Sequence, residues 1–160
     1  VEAKIVKKSS FHVIGYHFVA NLKEIEEQQL SKKTLERLQF HADKIPNKIG
    51  DHVYLIQVYP MKEGFHPYTD KFTQIIGYEV SNPGEVPEGG ILHTVPNCTY
   101  VTTTHKGPEA EIYQTYDYLY GKWMVENRCM PLGYDFELWD ERYNPDDMDN
   151  EIDLFIAINK

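Results

Sequence analysis

The sequence has little cysteine. Cys98 and Cys129 are its two thiols, far apart and without CxxC spacing, so local pattern encodes neither a disulfide framework nor a thiolate zinc site. A reducing, cytoplasmic setting is the expectation that follows. No run approaches the roughly 20 apolar residues of a membrane span, and the opening VEAKIVKKSS lacks the apolar stretch of a secretory signal. Basic clusters are missing too, since the pairs Lys7-Lys8 and Lys32-Lys33 are too small to form a patch, and 25 Asp and Glu against 16 Lys and Arg leave a net charge of −9. That balance counts against phosphate backbones and anionic membranes, because a nucleic-acid footprint needs a basic stripe. The seven histidines are scattered, with no HExxH and no i, i+4 pair, and the run Asp146 to Glu151 lacks the glycine and ligand spacing of a calcium loop. GxSxG, Walker and GxGxxG patterns are absent as well. Neither a metal nor a cofactor is expected.

What is present is an ordinary globular balance, 41% hydrophobic and 26% charged over 160 residues, which fits one domain able to bury a core unaided. Its one unusual feature is aromatic. Seven Phe and two Trp are joined by twelve Tyr, a residue with an apolar body and a polar tip. Half-buried rings at sheet edges would account for most of them; a group facing one cavity would be a different matter.

The stretch from Ile5 to Ala20 reads as one or two extended strands, with Gly15 permitting a bulge. Leu30, Leu35, Leu38 and Ala42 recur at helical spacing, which predicts a helix over about residues 31–44. Strands follow at 53–59 and 72–80, and the Pro/Gly-rich segment SNPGEVPEGG marks a connection near mid-chain. Beyond it come a strand at 98–104, a helix opened by Gly107-Pro108 and containing Gly121, and strands at 134–141 and 152–158. Each half is then strand, helix, strand, strand. The expectation is an α+β domain of two repeats, about residues 1–85 and 91–160, related by a pseudo-twofold axis with a ligand cleft between them.

Alternation along strand 134–143 sets Phe136 and Leu138 against Glu137, Trp139, Glu141 and Tyr143. With the apolar pair assigned to the helices, Trp139 and Glu141 meet Phe155 of the last strand on the cleft side. A desolvated carboxylate among rings favours a cation, and each ring adds about 0.5–2 kcal/mol of cation–π attraction. Two readings of Glu141 stand at this point: a strand-end surface residue paired with a lysine, which pattern alone slightly favours, or the anion of a binding site. Tyr116, Tyr120 and Trp123 share one helical face at i, i+4 and i+7, a stripe that also suits core packing. By symmetry Tyr16 and Tyr54 would line the opposite wall.

The element order resembles the GyrI-like effector-binding domain, which also forms the ligand domain of AraC-type and MerR-type multidrug regulators. The segments that carry the resemblance are Ile45-Pro46-Asn47, Ile76 to Val80, Thr99-Tyr100-Val101, His105 to Pro108, Trp123, Glu141-Arg142-Tyr143 and Ile152 to Ile158. Ala157-Ile158 stands where the family commonly ends in a Pro-Ile pair. The resemblance implies a buried carboxylate in an aromatic pocket, matched here by Glu141, and shifts the choice toward the site reading.

It implies a stand-alone binding protein for an apolar or cationic, aromatic organic molecule, since no helix-turn-helix precedes the domain in a chain that opens on Val1. A DNA-binding regulator is one protein partner it suggests. Two alternatives remain. Some family members resemble hydrolases of strained cyclopropanoid compounds, in which Glu141 would act as general base, and the family's namesake resembles a gyrase inhibitor.

Overall fold

The structure is a computed structural model that describes residues 2–160. Eight antiparallel strands form one sheet: β1 (Lys4–Lys8), β2 (Phe11–Ala20), β3 (Lys48–Val58), β4 (Phe72–Val80), β5 (Ile91–Val95), β6 (Cys98–Lys106), β7 (Met130–Trp139) and β8 (Glu151–Asn159). Their spatial order is β1-β6-β8-β7-β3-β4-β2-β5. This order reads the same from either end once each half is taken as strand, strand, helix, strand, strand. Both halves hand their leading strand to the other: β1 pairs with β6, and β5 pairs with β2. The α+β architecture of two related repeats is therefore as the sequence predicts; residues 5–20 form two strands, the second of the two readings, and the short β5 is an addition at the head of the second repeat.

Two helices connect β2 to β3. The first, α1 (Leu22–Gln28), starts at a reciprocal cap in which Asn21 Oδ1 accepts from the Glu24 amide at 2.8 Å and Glu24 Oε1 accepts from the Asn21 amide at 3.1 Å. Gln29 in the left-handed conformation then turns the chain into α2 (Leu30–Phe40). The predicted helix at 31–44 thus covers α2 and the 3-10 turn Ala42–Lys44, while α1 is an addition. The β6–β7 connection is α3 (Ile112–Tyr118), a π-helical turn (Leu119–Trp123) and a last turn, α4 (Met124–Glu126). Gly121 lies exposed inside the π turn, and a Cβ there would meet nothing.

Both faces of the sheet are buried. One face carries Ile14, Val53, Leu55, Ile76, Tyr78, Val101, Leu154 and Ile156, which pack with Leu38 of α2 and Leu119 and Met124 of the second helical layer. The other face curls on itself. Phe11 on β2 lies 5.0 Å from Tyr54 on β3 and 5.5 Å from Phe136 on β7, strands two and three places away in the sheet. Only a strongly coiled sheet brings such rings together. Tyr100 and Phe155 complete this second core. The backbones of β2 and β4 approach closely where Gly15 pairs with Gly77 in continuous register, without the bulge that Gly15 suggested; a Cβ on Gly15 would sit 2.0 Å from the Ile76 carbonyl oxygen.

Candidate functional site

β3 and β7 are neighbours at the seam between the repeats. Side chains of alternate residues share a face, so Val53, Leu55 and Gln57 of β3 and Asp135, Glu137 and Trp139 of β7 all point toward the helices. The first repeat thus offers an aliphatic residue and an amide at the seam where the second offers two acids. Leu55 is directly paired with Glu137 and Gln57 with Asp135, while β8 supplies Leu154 and Ile156 on the other side. Asp135 is 0% exposed and Glu137 4% exposed. A charged residue this deep is costly unless something compensates it.

Compensation comes from neutral donors alone. The Tyr116 hydroxyl donates to Glu137 Oε2 in a short hydrogen bond, and Trp139 Nε1 donates to Glu137 Oε1 at 3.0 Å. Asp135 Oδ2 accepts from the hydroxyls of Tyr120 at 2.7 Å and Tyr59 at 2.8 Å, and its Oδ1 from Gln57 Nε2 at 2.8 Å. Gln57 is oriented by Gln74, whose own carbonyl accepts from Ser31 of α2. A third acid, Glu109, accepts from the Tyr143 hydroxyl at 2.7 Å, and the Tyr143 ring stacks on Trp139 at 4.5 Å and 9°. Among the described residues no Lys, Arg or His forms an ion pair with any of these three carboxylates.

The electrostatic result is directional. Burial pushes Glu137 up to about 8 against the opposing hydrogen bonds of Tyr116 and Trp139, with the charges of Glu109 and Asp135 adding to the rise. Burial likewise lifts Asp135 to about 6, against its donors Tyr120, Gln57 and Tyr59. Glu109 rises for the same leading reason. Tyr59, Tyr116 and Tyr120 are driven upward by burial and by the adjacent acids, so their hydroxyls remain donors. A desolvated set of acids with no resident cation favours either protons or a bound cation.

The sequence-predicted residues divide between this site and other places. Trp139, Tyr116 and Tyr120 join it. Trp123 is half-buried against the same core but lies on the π turn, beside a surface depression at β1. Tyr16 is on the helix-covered face, buried under the Arg37 guanidinium at 4.0 Å. Tyr54 and Phe155 belong to the opposite, self-curled face. Glu141 lies past the end of β7, with its side chain 79% exposed and 3.2 Å from His52 Nε2. The desolvation expected of Glu141 is therefore absent, and the buried carboxylates of this strand are Glu137 and Asp135, four and six residues earlier. The facing of the strand is also the reverse of that expected: Glu137 and Trp139 look toward the helices, whereas Phe136 fills the aromatic core. The residues that sequence reasoning passed over, Asp135 and Glu137, had one signal, acids in mid-strand with apolar neighbours on both sides.

A surface depression runs along β1 and β6, lined by Lys4, Lys8, Thr102, Thr104, Asp153 and Phe155. It is open to water, and its Asp153 carboxylate is already neutralised, since Arg142 Nη2 lies 2.7 Å from Asp153. Among the described residues it holds no uncompensated buried charge. No helix among the described residues is long and apolar enough to cross a membrane, and among them no group of His, Cys, Asp or Glu is gathered as a metal site.

Comparison with known proteins bears on this geometry. A family model described as an integron-associated effector binding protein matches residues 4–158. The transcriptional regulator BrlR of Pseudomonas aeruginosa is 28% identical over 160 residues, an alignment that covers 99% of this chain and 56% of the regulator. The chain thus spans about half the length of that relative. Among solved structures, EcmrR in a DNA complex aligns with a TM-score of 0.75 and 17% identity, over 99% of this chain and 57% of that one. SAV2435 bound to tetraphenylphosphonium aligns with a TM-score of 0.71 and 10% identity, over 99% of this chain and 94% of that one. At these identities the structural likeness is one of fold.

Proposed function

The chain belongs to the integron-associated effector binding protein family, and on that premise we propose that it holds a small organic cation against Glu137, at the seam between its two repeats. The observation that carries this reading is a carboxylate that is 4% exposed, hydrogen-bonded only by a phenol and an indole, and without a cationic partner among the described residues. A ligand cation would supply the missing charge. The rings of Tyr116, Tyr120, Trp139 and Tyr143 gather on the same side and would each add about 0.5–2 kcal/mol of cation–π attraction. The tetraphenylphosphonium held by the structurally similar SAV2435 supports a ligand of this class.

Glu137 is sealed, so entry of a ligand displaces the Tyr116 hydroxyl. Giving up a hydrogen bond to a charged group costs about 1.5–3 kcal/mol, which the ion contact offsets. Tyr120 and Trp123 ride on the π turn Leu119–Trp123, and such turns are frequent at functional sites. Relatives that regulate transcription support a role in which occupancy of the seam is passed to a DNA-binding partner.

Titration of tetraphenylphosphonium, followed by tyrosine and tryptophan fluorescence, tests the reading. Native protein should bind, Glu137→Gln should bind at least tenfold more weakly, a difference of about 1.4 kcal/mol, and Glu141→Gln should match native. Equal binding by native and Glu137→Gln would remove Glu137 from the site. A hydrolytic reading draws on the same group, because a carboxyl pushed up to about 8 suits a general acid near neutral pH. Glu137-dependent turnover of a neutral strained electrophile would favour it.

A further inference from the structure

The seam holds a second buried acid that a single cation leaves unanswered. Asp135 and Glu137 are two residues apart on one face of β7, which sets them about 7 Å apart along the strand. Their lids repeat at a matching interval. Tyr116 covers Glu137 and Tyr120 covers Asp135, and a four-residue step along a helix advances about 6 Å. The two rings are nearly parallel, 15° apart in plane and 6.5 Å between centroids. The result is two adjacent cells, each a carboxylate under a tyrosine hydroxyl. Among the described residues no donor serves both acids; Gln57 links the cells, its Nε2 reaching Asp135 at 2.8 Å and the Tyr116 hydroxyl at 3.2 Å.

Resting on the reading that the seam binds cations, we propose that its ligand class is the short dication, with one positive charge in the Glu137 cell and the other in the Asp135 cell. A monocation seated at Glu137 would leave Asp135 as a buried acid 0% exposed with only neutral partners. That acid would have to stay protonated or remain an uncompensated charge, and either outcome forfeits attraction that a second positive centre recovers. The spacing selects among dications. A flexible chain with distant charges would place its second centre beyond Asp135, whereas a compact diamine would crowd both charges onto one acid. Rigid aromatic dications of the bipyridinium type fit on two counts, because their charges are separated by about the strand repeat of roughly 7 Å and their flat rings meet tyrosine faces.

Methyl viologen and 1-methyl-4-phenylpyridinium have almost the same shape and differ by one charge, so their affinity ratio isolates the second cell. Measurements belong at about 0.15 M salt, where screening suppresses the general pull of an acidic protein on dications. Native protein should bind methyl viologen at least tenfold more tightly than the monocation. Asp135→Asn should abolish that ratio, weakening methyl viologen at least tenfold more than it weakens the monocation. Tyr120→Phe, which removes one donor from Asp135 and none from Glu137, should narrow the ratio and provides the test if Asp135→Asn does not fold. A native ratio near one, with the monocation still bound in a Glu137-dependent way, overturns the dication and leaves the single-cation reading standing. Persistence of the full ratio in Asp135→Asn and Tyr120→Phe also overturns it. If native protein binds neither compound, the cation reading itself falls, and the dication with it.

Discussion

Burial lifts Glu137 from an ordinary 4.5 to about 8 and Asp135 from 3.8 to about 6, and this fixes the sign of a pH effect on stability. Both folded values lie above the unfolded ones, so the native state binds these protons more tightly than the unfolded chain does. Their contribution is fully present below about pH 4 and is lost as pH rises, through 6 for Asp135 and through 8 for Glu137. Asp140 works the other way at the acid end, because hydrogen bonds from Arg142 hold it below its ordinary value. Thermal unfolding from pH 5 to pH 9 should therefore show native protein losing stability. Glu137→Gln, which removes the charge and keeps the shape, should flatten the upper half of that profile and exceed native by about 1 kcal/mol or more at pH 9. A native profile that rises toward pH 9 would mean that Glu137 is ionised and compensated in the free protein. Glu141 makes the contrast at the same scale. Its side chain is 79% exposed beside His52, and an exposed pair of this kind is worth at most about 1 kcal/mol, so Glu141→Gln should leave both stability and binding unchanged.

At the scale of elements, the self-curled face depends on β2 and β4 approaching where neither carries a side chain. Gly15→Ala would drive a methyl to 2.0 Å from the Ile76 carbonyl oxygen, and Gly77→Ala would set one 2.6 Å from the Ile14 oxygen. The backbone has to yield in either case, so each substitution should cost about 1–3 kcal/mol, read as a lower urea midpoint with an unchanged slope. Retention of native stability by Gly15→Ala would show that the coil of the sheet does not need this contact. The coil also explains what the sequence made legible. Strands of β-branched and aromatic residues, the stripe of α2 and the Pro/Gly connector all gave elements close to those observed. Period-two alternation also grouped Glu137 with Trp139 correctly. Alternation does not say which face takes the helices when both faces are buried. Apolar Phe136 and Leu138 were expected under helices, but the second face folds into an aromatic core of its own and claims Phe136. The acids were left on the helix side, and the strand ends at Trp139, two residues before Glu141. β5, only five residues long, and α1, seven residues long, carried too little periodicity to stand out.

For the whole molecule, the acidic surplus and the sealed seam combine into one thermodynamic linkage. A net charge of −9 draws cations toward the surface at long range and speeds encounter at low salt, but it does not select them. In the proposed reading selection rests on the seam, where Glu137 faces Tyr116 and Trp139 directly, with Asp135 and Glu109 as the charged neighbours that raise it. With its carboxyl pushed up to about 8 by burial, Glu137 favours its protonated form near neutral pH. A cation bound as proposed would need the carboxylate, so its binding would expel that proton, and ligand and proton would compete for one site. Affinity for tetraphenylphosphonium should then climb with pH by up to tenfold per unit below about 8 and level off above it. Calorimetry at pH 7 in buffers of different ionisation enthalpy should count close to one proton released per ligand bound, and none in Glu137→Gln. A surface site governed by net charge alone would give a different pair of results, an affinity that is flat in pH and steep in salt. Flat affinity between pH 6 and pH 9 would accordingly move the binding site out of the seam and onto the acidic exterior.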